Sequence, residues 1–90
     1  MADRLEKLRA TLNDLESELQ GLDSLDDATR EELADAAAEI AASLRRGRRS
    51  EAARRAEHTL QGRLTDFEAN HPQLAIIVGR LLDGLAQLGI

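Results

Sequence analysis

Cysteine is absent from the ninety residues, so no disulfide staples the chain and no thiolate serves as a nucleophile or soft metal ligand. Tryptophan and tyrosine are missing too, and Phe67 is the only aromatic residue. That argues against base-stacking platforms and aromatic cages, and it leaves a core of Leu, Ile and Ala. The single proline (Pro72) and six scattered glycines exclude a Pro/Gly-rich linker, a collagen-like chain and a glycine-rich phosphate loop. No long apolar run is present either. The richest stretch, Leu74 to Ile90, is interrupted by Arg80 and Asp83 and falls short of the ~20 residues that span a bilayer. The charged start, with Asp3, Arg4, Glu6, Lys7 and Arg9, is unlike a secretory signal, so the expectation is a cytoplasmic protein without a membrane role.

What is present is helical periodicity. Met1, Leu5, Leu8, Leu12, Leu15, Leu19 and Leu22 alternate gaps of four and three, a heptad seam with leucine at almost every position. Gly21 is expected to close this helix in the left-handed conformation that glycine adopts without penalty. A second helix starts between Ser24 and Thr29, where Asp26, Asp27 and a Thr29–Glu32 capping box all offer caps. It is alanine-rich, with Leu33, Ala37, Ile40 and Leu44 on one face. Gly47 is expected to break the chain there, with Ser50 and Glu51 starting a third helix that buries Ala53, Ala56, Leu60, Leu64 and Phe67. That helix ends near Asn70 and His71, one of which caps a fourth helix opened by Pro72. The spacing thus predicts helices over about 3–20, 27–46, 50–70 and 72–88 in one domain spanning 1–90. The fold class is all-α, a small antiparallel four-helix bundle of two hairpins, completed by self-association.

The motive for self-association lies in the last helix. Gln73, Arg80, Asp83 and Gln87 form a narrow polar stripe with Ile76 and Gly84 in or beside it. Leu74, Ile77, Val78, Leu81, Leu82, Leu85 and Leu88 take most of the remaining circumference. These seven are the expected interface anchors of a homo-oligomer, dimeric or higher, with Arg80 and Asp83 as an i, i+3 pair at the rim. Another protein is the second candidate cover. A lipid surface is the weakest, because the polar stripe offers a single arginine, Arg80. The rival to all three is that this helix is the centre of a monomeric core. In the first helix, a parallel self-pairing would oppose like charges, whereas an antiparallel one sets Arg4 towards Glu18 and Arg9 towards Glu16. That seam can equally pair with a helix of its own chain.

Charge is segregated along the chain. Residues 1–44 are strongly acidic, residues 45–64 carry seven arginines, and the whole sums to −5. Arg45, Arg46, Arg48, Arg49, Arg54 and Arg55 are an anion-binding candidate, and guanidinium pairs well with phosphate. Without interleaved aromatics, and beside so acidic a first half, the better expectation is that they neutralise the acidic helices. Nucleic-acid association is the alternative function. Glu68 and His71 form a Glu-x-x-His unit, the remote alternative of a metal-binding bundle, but His71 sits at a helix boundary. His58 reads as a surface residue. Ser17, Ser24, Ser43 and Ser50 make no hydrolytic grouping with the histidines, so no catalytic residue, metal or cofactor is expected and the protein reads as a non-enzyme.

The run Phe67-Glu68-Ala69-Asn70-His71-Pro72-Gln73-Leu74, then Gly79-Arg80-Leu81-Leu82-Asp83 and the closing Leu85-Ala86-Gln87-Leu88-Gly89-Ile90, resembles a family of short bacterial proteins, domain of unknown function number 4404. The leucine-seamed first helix and Ser24-Leu25-Asp26 add to the likeness. The resemblance implies a small helical bacterial protein and brings no activity, cofactor or catalytic residue with it. The arginine-rich segment at 45–55 lies outside the pattern. The function expected is protein–protein interaction, with self-association through the C-terminal helix.

Overall fold

Four helices follow from these signals: α1 (Ala2–Gly21), α2 (Asp27–Arg46), α3 (Glu51–Asn70) and α4 (Pro72–Leu88). The computed structural model describes residues 2–47 and 50–88, with the side chains of Ala2 and Leu88 excepted. Among the described residues there is no strand. Each helix packs on two others, α1 on α2, α2 on α3, α3 on α4 and α4 on α1, and no diagonal pair meets. The molecule measures 36 × 23 × 20 Å, close to the ~30 Å length of a twenty-residue helix.

The boundaries show which capping signals act. Ser50 caps α3, its hydroxyl accepting the Ala53 N–H at 3.1 Å. Gly47 ends α2 with φ 71° and ψ 18°, so the chain turns there instead of running on as one long helix. Gly21 departs from expectation: Gly47 is the only residue with positive φ among those described, and α1 ends without a left-handed cap. Thr29 and Glu32 form no capping box, because α2 starts earlier, behind Asp26 in an extended conformation. Asn70 caps nothing; its amide donates to Asp66 at 3.0 Å within α3. His71 alone joins α3 to α4. Its N–H donates to the Phe67 carbonyl and its carbonyl accepts the Ala75 N–H.

What stands in for a glycine cap on α1 is Arg30, one turn into α2. Its guanidinium donates to the carbonyls of Leu19, Leu22 and Leu25, the latter two at 2.8 and 3.0 Å. A cation at a helix C-terminus also meets the negative end of the helix dipole. The fork gathers the loop 22–26 beneath it and holds Leu25 in the core.

The α1 seam faces inward as spaced: Leu8, Leu12, Leu15 and Leu19 are buried, with Leu5 and Leu22 half-buried. Leu33, Ala36, Ala37, Ile40 and Leu44 of α2 and Leu60 and Phe67 of α3 belong to the same core. Met1 lies outside the described residues. From α4 come Leu74, Val78, Leu81 and Leu85, all but inaccessible. That corrects the main expectation for α4. Four of its seven proposed anchors belong to the chain's own core, where no second copy reaches them, and the ring of helices closes without one. A wheel drawn for one helix counts its apolar circumference but not its neighbours, and α4 has two.

The closure between α1 and α4 depends on Gly84. A Cβ built there would lie 2.5 Å from Leu8 Cδ2 and 3.3 Å from Leu8 Cγ. The missing side chain lets the helices approach. Gly62 and Gly79, by contrast, have no atom within 4 Å of such a Cβ.

Two contrasts test this account by urea denaturation. Arg30→Met should cost about 1.5–3 kcal/mol, because it strips several carbonyls of a charged donor. Arg63→Met breaks an exposed 2.5 Å pair with Glu32 and should cost about 1 kcal/mol or less. Gly84→Val should destabilise by about 1–3 kcal/mol through overpacking against Leu8. Gly62→Ala, on an exposed mid-helix position, should stabilise by about 0.5–1 kcal/mol. Equal effects within either pair would contradict the assigned roles.

Candidate functional site

The outer side of the bundle formed by α1 and α4 carries the polar stripe of the last helix. On α4 the polar stripe read from the wheel is where it was expected: Gln73, Ile76, Arg80, Asp83 and Gln87 are exposed. Ile76, at 49%, is the one large hydrophobic side chain so exposed among the described residues. Ile77 and Leu82 flank the stripe, half-buried against the core. The side chain of Leu88 lies outside the described residues. Arg80 and Asp83 do not bond each other: the expected i, i+3 pair is absent, and both side chains project from the face.

On α1 the matching stripe is Arg4, Lys7, Thr11, Asp14 and Glu18, all exposed or half-exposed. Between the two stripes runs a groove of about 490 Å³, floored by Leu8 and Gly84 and walled by Arg4, Lys7, Thr11, Arg80, Asp83 and Gln87. It is roomy because Gly84 offers no side chain. Arg4 reaches across one end to the Gln87 carbonyl at 3.4 Å. At the other end of the same two helices Glu18 lies beside Gln73, His71 and Pro72 in a shallower depression. The basic side chains therefore cluster at one end of this face and the α1 carboxylates towards the other. The order along α1 is written in its own sequence; where Arg80 and Asp83 fall beside it depends on how α4 runs against α1.

The arginine cluster is placed elsewhere. Arg45 and Arg46 end α2, and Arg54 and Arg55 lie in the first turns of α3, all exposed around the α2–α3 turn. Arg48 and Arg49 lie outside the described residues. Arg45 borders a groove between α1 and α2 that also holds Arg9 and Glu16. Among the described residues, an ion pair between Arg63 and Glu32 joins α3 to α2, outside the cluster.

His71 is half-buried and packs edge-on against Phe67, ring centroids 6.2 Å apart. Glu68, three residues before it, is exposed. No group of three or more His, Asp or Glu among the described residues is placed to hold a metal ion. His58 is exposed, whereas its neighbour Glu57 is buried and partnered. No buried side-chain polar atom among the described residues lacks a hydrogen-bond partner. No helix among the described residues is long and apolar enough to cross a membrane.

The residue that spacing missed is Arg30. It looks like one more charge on a helix face, and its partners are backbone carbonyls, which leave no trace in a pattern of side chains.

No curated protein and no solved structure matches the chain. The family described as a domain of unknown function, DUF4404, matches residues 8–90, a span that takes in the α1 seam from Leu8 onward, the α2 alanine face, His71–Pro72 and the whole of α4. The chain belongs to that family, DUF4404.

Proposed function

We propose that this protein acts by binding protein, itself included, and not by catalysis, with the outward stripe of α4 as the contact. The observation that carries the reading is Ile76. A large aliphatic side chain half open to water, in a stripe otherwise of Gln, Arg and Asp, gives the face an apolar contact among polar groups, the composition of a modest interface. Ile77 and Leu82, already half-buried, extend the apolar contact on either flank. The other five anchors enter differently. Leu74, Val78, Leu81 and Leu85 support the helix from below, and the Leu88 side chain is not described. In support of a non-enzymatic role, the described grooves are open and shallow and no nucleophile, base and orienting group converge in them.

A second reading, association with nucleic acid, is favoured by one observation: Arg45, Arg46, Arg54 and Arg55 are all exposed at one end of the bundle. It predicts a mobility shift of duplex DNA that weakens steeply as salt rises, in proportion to the number of phosphates neutralised. An absent shift at low salt sinks it.

For the principal reading, sedimentation over roughly 1–100 µM should show a concentration-dependent shift to a larger species. Ile76→Asp should remove that shift and leave helicity and the urea midpoint unchanged, because Ile76 is outside the core. A wild-type chain that stays monomeric throughout contradicts self-association.

A further inference from the structure

We infer that the partner on this face is a second copy of the chain, related by a two-fold axis that lies in the face, runs across the helices, and passes Thr11 and the gap between Arg80 and Asp83. The inference rests on the proposed self-association and specifies its geometry. It comes from the order of charges along two helices. Down α1, the outward stripe reads Arg4, Lys7, Thr11, Asp14, Glu18, two cations and then two anions about a neutral centre. Turned end for end, that stripe is its own complement: Arg4 meets Glu18 of the second copy, Lys7 meets Asp14, and Thr11 meets Thr11. On α4, Arg80 and Asp83 form a shorter pattern of the same kind, each facing the other's counterpart when the helix is paired antiparallel with itself.

Both patterns would be coincidence if they called for different axes. They call for the same one. Leu8 lies against Gly84, and Arg4 reaches the carbonyl of Gln87, so each step down α1 is matched by a step up α4. Thr11 is therefore level with the stretch between Arg80 and Asp83. A single rotation lays α1 on α1 and α4 on α4, both antiparallel, and mates every charge named here with its opposite. It is an isologous contact, the kind that closes as a dimer. Arg80 and Asp83, not bonded to each other within the chain, are both free to reach across. Ile76, near the Gln87 of the second copy, becomes covered.

The face limits the strength. At 36 Å by about 20 Å it buries at most roughly 700 Å² per copy, slightly under the ~800 Å² of a standard interface, and its charge pairs join side chains that are well hydrated in the single chain. The dimer is therefore reversible, and salt weakens it.

The competing two-fold runs along the helices. It lays α1 on α4 of the second copy, and sets Lys7 opposite Asp83 and Asp14 opposite Arg80. Charge reversal separates the two. Asp83→Arg alone should weaken dimerisation roughly tenfold, as like charges meet. Adding Arg80→Asp should restore it under the proposed axis and weaken it further under the other. Both positions are exposed in the single chain, so circular dichroism should be unchanged. Because the chain has no cysteine, Thr11→Cys introduces the sole thiol, placed on the axis. Under mild oxidation it should form a covalent dimer, while Gln61→Cys, on α3, should not. If the wild type dimerises but the double reversal fails to restore it, or Thr11→Cys cross-links no better than Gln61→Cys, this geometry is wrong while self-association stands. If the wild type never dimerises, both fall.

Discussion

The close approach of α4 to α1 is the constraint on which the rest of the structure depends. Three helices in sequence make two hairpins' worth of contacts but leave the α1 leucine seam half open. It is the fourth that closes the ring, by laying Leu74, Val78, Leu81 and Leu85 into the space facing that seam. The approach is possible because position 84 has no side chain where Leu8 must lie. Each leucine so buried contributes about 1.5–3 kcal/mol. A small chain with no disulfide and one aromatic residue has few other sources of stability. The same contact fixes the relative height of the two helices and thereby the arrangement of charge on the outside.

Much of the architecture was legible before any coordinates. A repeat of leucines at gaps of four and three has only one regular conformation that places them on one side, and α1 adopts it. Pro72 after His71 both stops one helix and starts the next, and the chain uses a single residue between them. Gly47 reads as a turn because two basic residues precede it and a serine cap follows it, and its left-handed φ of 71° makes it one. Local signals compete, however, and here the sequence alone could not rank them. Asp26 prevailed over the Thr29–Glu32 box, and the Gly21 cap gave way to Arg30, whose carbonyl partners come from a neighbouring helix and a loop.

The error about α4 is instructive for the same reason. Its polar stripe was identified residue by residue, and the structure exposes those residues. The inference from the remaining circumference failed because burial is a property of a helix's surroundings. Two flanking helices cover a wide arc of α4, and Ala75 and Gly79 on one flank need little room. What remains outside is not a greasy surplus but one isoleucine among polar residues. The candidate site was thus visible as a stripe and misjudged as a surface. On α1 the sequence shows only a preference for antiparallel pairing, Arg4 towards Glu18 and Arg9 towards Glu16, and the agreement in height with Arg80 and Asp83 needs the fold.

The arginines fare similarly. Their crowding in sequence suggests a single patch neutralising the acidic helices; among the described residues Arg45 shares a groove with Glu16 of α1, while Arg63, outside the cluster, pairs with Glu32. Sequence proximity around a turn places side chains at one end of a bundle, while the acidic groups are spread along its length.

The central claim is that α4 is covered by its own chain, and hydrogen exchange on dilute, monomeric protein tests it most directly. The amides around Leu81 and Leu85 should exchange as slowly as those around Leu15 and Leu33, all opening together with global unfolding. Rapid exchange throughout α4 in the monomer, slowing only as the protein is concentrated, would contradict it and return those leucines to an interface.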